Sequence, residues 1–201
     1  MSEDLGRQIA SARARRFLLA IQDVMGLSGL ATVLRQANLQ RYVAWPGDNN
    51  LRAAEYAALM QAIENYYGRG ARGTLMRIGY AEFKRLLAGH RTRAMVYGML
   101  TRVMPVLQRQ LLALNWLAKE WEPSANRALV QKDGATLALL DYESDATFGR
   151  RREAEICWTT LGQIQEALKW ATGQEFDVLE TQCKARGALA CRFEVGRPIG
   201  G

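Results

Sequence analysis

The sequence predicts an α+β protein: an N-terminal helical bundle followed by a hairpin–helix–hairpin unit with a four-stranded antiparallel sheet. Three observations carry this expectation. Apolar residues recur at helical spacing through the first 120 residues. After Trp121-Glu122-Pro123 the pattern changes to short strand-like runs bounded by turn residues. One further helical stretch separates two such strand pairs.

The elements follow in order. Ser2 is placed to cap a first helix, with Glu3 and Asp4 in its first turn. Leu18, Ile21, Val24 and Met25 form its apolar stripe, and Gly26 and Gly29 break it. A short second helix carries Leu30, Val33, Leu34 and Ala37. Residues 45–50 read as a loop, ending at Asn50 as the cap of a third helix with Tyr56, Leu59, Met60, Ile63 and Tyr67 on one face. A fourth helix runs from about Ala71 to Leu87 and stops at Gly89-His90. The stretch 93–119 is helical by pattern, and Pro105 should kink or divide it. Strands are expected near 125–132 and 135–142, joined at Asp133-Gly134, a strong hairpin signal. A helix near 151–172 stops at Gly173. Two last strands, near 175–183 and 189–195, turn at 185–188, where Gly187 can supply a positive φ. This divides the chain into a helical region, 1–120, and an α+β region, 121–198.

Composition sets the class. Hydrophobic residues are 49% and charged residues 23%, ordinary for a globular protein. No run without interruption reaches the ~18–20 apolar residues of a membrane span, and the acidic start Met1-Ser2-Glu3-Asp4 is unlike a secretory signal. A cytoplasmic chain with no membrane span is expected. The net charge is +7, but the basic residues are spread along the chain. Arg13, Arg15 and Arg16 read as the solvated face of an amphipathic helix, and no nucleic-acid-binding motif accompanies them.

Two features suggest chemistry that their context does not support. Gly68-Arg69-Gly70-Ala71-Arg72-Gly73 matches the dinucleotide-binding glycine pattern, but a helix precedes it instead of a strand. No acidic residue follows between Glu82 and Glu120 to hold a ribose. Within that acid-free stretch, Lys84, Arg85, His90, Arg91 and Arg93 read as helix-end cations facing water, with contact to an anionic ligand as the sharper alternative. His90 is the sole histidine, and no nucleophile is placed beside it.

All three cysteines fall in the last third of the chain, an odd number that a disulfide framework cannot fully pair. Cys157 is expected within a helix, Cys183 at the end of one strand and Cys191 in its hairpin partner. Glu180 is three residues before Cys183. The turn between the strands brings Cys183 and Cys191 together. Three thiolates and a carboxylate would satisfy four-coordinate zinc. The plainer alternative is that Cys157 and Cys191 are small buried apolar residues.

The segment Glu180-x-x-Cys183-x-Ala185-x-Gly187-x-x-x-Cys191-Arg192-Phe193 resembles the signature of the vinyl-4-reductase (4-vinyl reductase) domain family. The resemblance covers roughly 120–196. It implies a zinc site made by Cys157, Glu180, Cys183 and Cys191, and a fold shared with TRAPP transport-particle subunits and haem-NO-binding-like sensors. It also implies a pocket between helices and sheet for a small apolar or aromatic ligand. Trp116, Trp121, Met99, Val103 and Phe148 are candidates for its walls. The family's phenol sensors set a His and a Trp against the phenol hydroxyl, and His90 is the candidate His, although it lies upstream of the expected place.

Three functions are consistent with this resemblance. The first is a sensor or carrier of a hydrophobic molecule, linked to bacteriochlorophyll or tetrapyrrole metabolism. The second is a reductase acting on a chlorophyll precursor, for which no hydride-cofactor site is evident. The third is a scaffolding subunit. A homodimer is expected, from the broad apolar faces of the N-terminal helices and from related proteins that pair.

Overall fold

The computed structural model describes residues 7–43, 50–101, 103–121, 127–134 and 136–199. The chain is α+β, with helices N-terminal to a four-stranded antiparallel sheet. A two-residue pairing of β1 (Gln8–Ile9) with β2 (Leu51–Arg52) is too short to leave a sequence pattern. Helix α1 spans Ser11–Gln36, α2 Ala53–Tyr67 and α3 Ala71–Gly89. Helices α4, Arg91–Thr101, and α5, Val106–Trp121, are separated at Pro105, whose carbonyl accepts the first amides of α5. Strands β3, Ala128–Asp133, and β4, Thr136–Asp141, form the first hairpin. Helix α6, Trp158–Thr172, leads to β5, Phe176–Gln182, and β6, Cys191–Pro198.

Several boundaries differ from the sequence reading for local reasons. The expected Ser2 cap and most of the 45–50 loop lie outside the described residues. Gly26 adopts φ 73° and breaks α1 as glycine permits, yet helical bonding resumes beyond it, so one kinked helix replaces two. Asn50 does not cap α2. The helix starts at Ala53, and Glu55 closes its first turn by accepting the Arg52 backbone N–H at 3.0 Å and the Arg52 Nε at 2.7 Å.

Among the described residues, α1 is the one helix long and apolar enough to cross a membrane, with a window hydropathy of 1.7. The sequence reading missed it because Gly26, Ser28 and Gly29 interrupt the apolar run without lowering its mean much. Its Ala14, Phe17, Ala20, Ile21, Val33 and Leu34 are buried in the protein core.

The sheet order is β3-β4-β6-β5. Period-two alternation turns Phe176, Val178 and Glu180 inward on β5, and Cys191, Phe193 and Val195 inward on β6. Leu129 and Leu179 lie exposed on strands β3 and β5. Helix α6 packs between sheet and bundle. It meets α3 at paired glycines: a Cβ on Gly79 would lie 2.1 Å from the Thr159 carbonyl oxygen, and one on Gly162 2.2 Å from that of Met76. Only hydrogen at both positions permits this approach, which fixes where α6 begins.

Candidate metal centre

Cys157 is not inside α6, as the sequence suggested; it is the residue before the helix. Its carbonyl accepts the Leu161 amide at 2.9 Å, the first bond of the helix. Its own N–H donates to Glu180 Oε2 at 3.1 Å. Cys183 follows β5, and a single tight turn, with Gly187 at φ 95°, returns the chain to Cys191. Cys191 pairs with Asp141 of β4. Helix start, strand, turn and return strand thus converge.

The donor atoms of Cys157, Glu180, Cys183 and Cys191 all lie within 4.8 Å of one another, and all four residues are buried. The Sγ atoms of Cys157 and Cys191 are 3.5 Å apart, and all three cysteines are free. Four donors about 2.3 Å from a tetrahedral metal would sit about 3.8 Å apart, which falls inside this spread. Glu180 Oε1 is buried with no hydrogen-bond partner, a costly state that a cation would relieve.

Electrostatics agree with that fit. Burial pushes the Cys157 thiol well above its ordinary range. Hydrogen bonds from Cys157 and Cys191 hold Cys183 well below it, so Cys183 carries the negative charge. Cys157 also favours the Cys191 thiolate, but the Cys183 sulfur and burial outweigh it and raise Cys191. Burial, then the charge on Cys183, lifts Glu180 to about 8. The cluster by itself tolerates little more than one negative charge; a divalent cation would remove that restriction. Two backbone or hydroxyl groups support the sulfurs: Lys184 N–H approaches Cys191 Sγ at 3.4 Å, and Ser144 Oγ lies 3.6 Å from Cys157 Sγ. Three soft thiolates and one carboxylate suit zinc, and four protein donors leave no open position.

The six candidate ligand residues do not form one pocket. Trp116 is buried, donates to Glu120 Oε1 at 3.1 Å and packs on Phe83, Tyr97 and Trp170. His90 Nε2 lies 3.7 Å from the other oxygen of the same Glu120. Trp121 is buried beside a separate internal cavity. Phe148 is half-buried under the Arg7 guanidinium. Met99 and Val103 are exposed, Val103 at 88%. The neighbouring cations are paired: Lys84 with Glu166, Arg85 with Asp23 and Arg93 with Glu120.

Sequence reasoning missed two buried polar groups. Arg13, expected in water, is 8% exposed and donates to Asp145 Oδ2 at 2.8 Å and to the Trp121 carbonyl at 3.0 Å. Its spacing from Phe17 and Ala20 places it on the buried stripe, a signal that its charge concealed. Arg7 and Arg127 also bind Asp145. The second group is a chain in which Trp121 Nε1 donates to Gln163 Oε1 at 2.6 Å and Gln163 Nε2 donates to Glu82 Oε2 at 2.5 Å. These residues, with Arg13, Arg16, Phe83 and Leu117, surround an internal cavity of about 10 Å³.

A kinked helical bundle, a four-stranded antiparallel sheet and a buried three-cysteine, one-glutamate cluster at the joint define the class. Within it, residues 142–197 match the vinyl-4-reductase domain, a span that includes all four cluster residues. No curated protein is detectably similar in sequence. Solved structures share the fold. An Fe(II) unliganded H-NOX protein from K. algicida is 13% identical with a TM-score of 0.64, over 96% of this chain and 98% of that one. An H-NOX protein from S. oneidensis in the Fe(II)NO ligation state is 15% identical with a TM-score of 0.55, over 96% and 100%. The phenol-responsive sensory domain of the transcription activator PoxR with phenol is 19% identical with a TM-score of 0.52, over 75% and 78%.

Proposed function

We propose that this chain is a small-molecule-binding sensor or carrier domain whose C-terminal hairpin is held by a structural zinc ion. The observation that carries the reading is the buried convergence of Cys157, Glu180, Cys183 and Cys191 within the vinyl-4-reductase domain match. Cys157 and Cys191 would tie the start of α6 to β6, and Cys183 and Glu180 would add β5. When bound, the ion supplies charge neutralisation and a cross-link. The binding reading draws support from the fold, since solved proteins of this shape include a phenol-responsive sensory domain and H-NOX proteins.

The best-placed ligand site is the internal cavity beside Trp121. Phe83, Leu86 and Leu117 give it apolar walls, and Arg16, Glu82, Glu120 and Gln163 give it polar groups. At about 10 Å³ it has room for about one water. A phenol-sized ligand would therefore need α4 and α5 to move outward. Helix α4 is suited to that, because it packs only lightly on α3 and α6. Its exposed Met95, Val96 and Met99, with Val103 beyond its end, form an apolar stripe that supports a homodimer. In this reading the helical region 1–120 supplies pocket wall and dimer face, and 121–198 supplies the zinc-bearing unit.

Native mass spectrometry and metal analysis of the purified protein test the proposal. One zinc per chain, and a retained or titratable phenol, fatty acid or porphyrin precursor, is the expected result. A zinc-free protein with all four side chains intact, or failure of every ligand class to bind, would overturn the corresponding half. Light scattering that gives a monomer mass at micromolar concentration would overturn the dimer.

A further inference from the structure

Beside the metal centre two turns meet: residues 149–152, which follow the first hairpin, and 184–187, which join β5 to β6. They enclose an open groove of about 530 Å³. Among the described residues its lining contains five cationic side chains, Arg150, Arg151, Arg152, Lys184 and Arg186, and no carboxylate or aromatic ring. Two of the five are neutralised from outside the groove, Arg150 by Glu64 and Arg186 by Glu155, each at 2.5 Å. The other three are not. The Lys184 ammonium donates to the carbonyl oxygens of Tyr142 at 2.5 Å and Leu189 at 3.5 Å. Arg152 donates to the Gln61 amide oxygen and the Arg151 carbonyl. The exposed Arg151 side chain makes no hydrogen bond or ion pair among the described residues. Three positive charges therefore face neutral partners or water.

The turns that carry these charges are pinned. Arg152 N–H donates to the Ala185 carbonyl at 2.9 Å and joins one turn to the other. Arg186 and Gly187 N–H groups close the second turn on Cys183 and Lys184. Gly149 at φ 64° and Gly187 at φ 95° hold bends that a side chain would strain. A fixed cluster of this kind loses less conformational entropy on binding than a flexible basic tail.

We propose that the groove between these turns binds a polyphosphate group, free or carried on a larger molecule. Guanidinium groups match phosphate oxygens in charge and in planar geometry. Three uncompensated charges in a wide groove suit a chain of phosphates better than a single one. The lack of an aromatic lining leaves no platform for a nucleobase, so charge carries the recognition. The occupant would sit on the turn whose Lys184 amide faces Cys191, next to the metal cluster and apart from the internal cavity. The site stands or falls independently of the ligand proposed above.

The test is an amide NMR titration of the zinc-loaded full chain at low ionic strength, with zinc content measured before and after. The probes are pyrophosphate, tripolyphosphate and ATP. The expected result is saturable shifts at Gly149, Arg151 and Gly187 with zinc retained, and weaker binding as salt rises. Arg151→Ala should weaken binding about ten-fold, the size of one charge-assisted hydrogen bond. Arg35→Ala, an exposed basic change on α1, should leave it unchanged. Equal affinity for tripolyphosphate and ATP means that the phosphate chain alone is read; tighter ATP binding with the same amides shifted means that it arrives on a nucleotide. No saturable shift at these amides with millimolar pyrophosphate overturns the proposal. So does equal weakening by Arg35→Ala, or shifts that follow zinc loss.

Discussion

Gly79→Ala sets two well-known effects against each other at the α3–α6 crossing. In an exposed helix, alanine is favoured over glycine by about 1 kcal/mol. Here the new Cβ would stand 2.1 Å from the Thr159 carbonyl oxygen and 2.9 Å from the Gln163 nitrogen. Both are backbone atoms, so no side chain can rotate away. The helices must separate by about 1 Å, and overpacking of this kind costs about 3 kcal/mol, at the upper end of the usual range. The net loss is about 2 kcal/mol, or roughly 4–8 °C in Tm for a chain of this size. Gly73→Ala in the same helix is the control: its Cβ would meet nothing within 4 Å, so it should gain up to about 1 kcal/mol. Urea denaturation followed by circular dichroism reads both. A Gly79→Ala protein as stable as its parent would show that α3 and α6 do not cross as closely as described. Because α6 begins at Cys157, the variant should also bind metal more weakly, which a competition titration with a chromogenic chelator measures.

Three further outcomes follow from buried groups. Cys183→Ser should lose stoichiometric zinc, whereas Glu180→Gln should retain a weaker site, since water can replace a carboxylate more readily than a thiolate; metal analysis after gel filtration distinguishes them. Asp145→Asn should cost about 3–5 kcal/mol in urea, because it leaves buried arginines unpaired. Burial raises the Asp145 carboxyl, but Arg13, Arg127 and Arg7 outweigh it and hold it below its usual range. Its contribution is therefore complete above about pH 4 and is lost as pH falls through the lower folded value. Glu82→Gln should do the reverse. Burial raises Glu82 despite Arg13 and Arg16, so its charge is penalised at neutral pH, and the neutral isostere should stabilise at pH 8. That gain should vanish below about pH 4; a stability loss at pH 8 would mean that the carboxylate is needed by its arginines.

The sequence by itself determined the element order and the position of its main breaks. Pro105 cannot continue a helix, Gly134, Gly173 and Gly187 take backbone angles that other residues resist, and apolar periodicity separates bundle from sheet. It also put Glu180, Cys183 and Cys191 close together, because one tight turn joins them and period-two alternation directs Glu180 inward with Phe176 and Val178. Only the tertiary structure decided that Cys157 joins them, since that depends on where α6 starts once Gly79 and Gly162 have set its crossing with α3. The same holds for Arg13, whose charge argued for water while its position on the Phe17 stripe buried it against Asp145, and for Met99 and Val103, whose apolarity argued for an interior that their helix does not enter. Local rules fix backbone angles and faces; which face meets which partner is a property of packing between segments far apart in the chain.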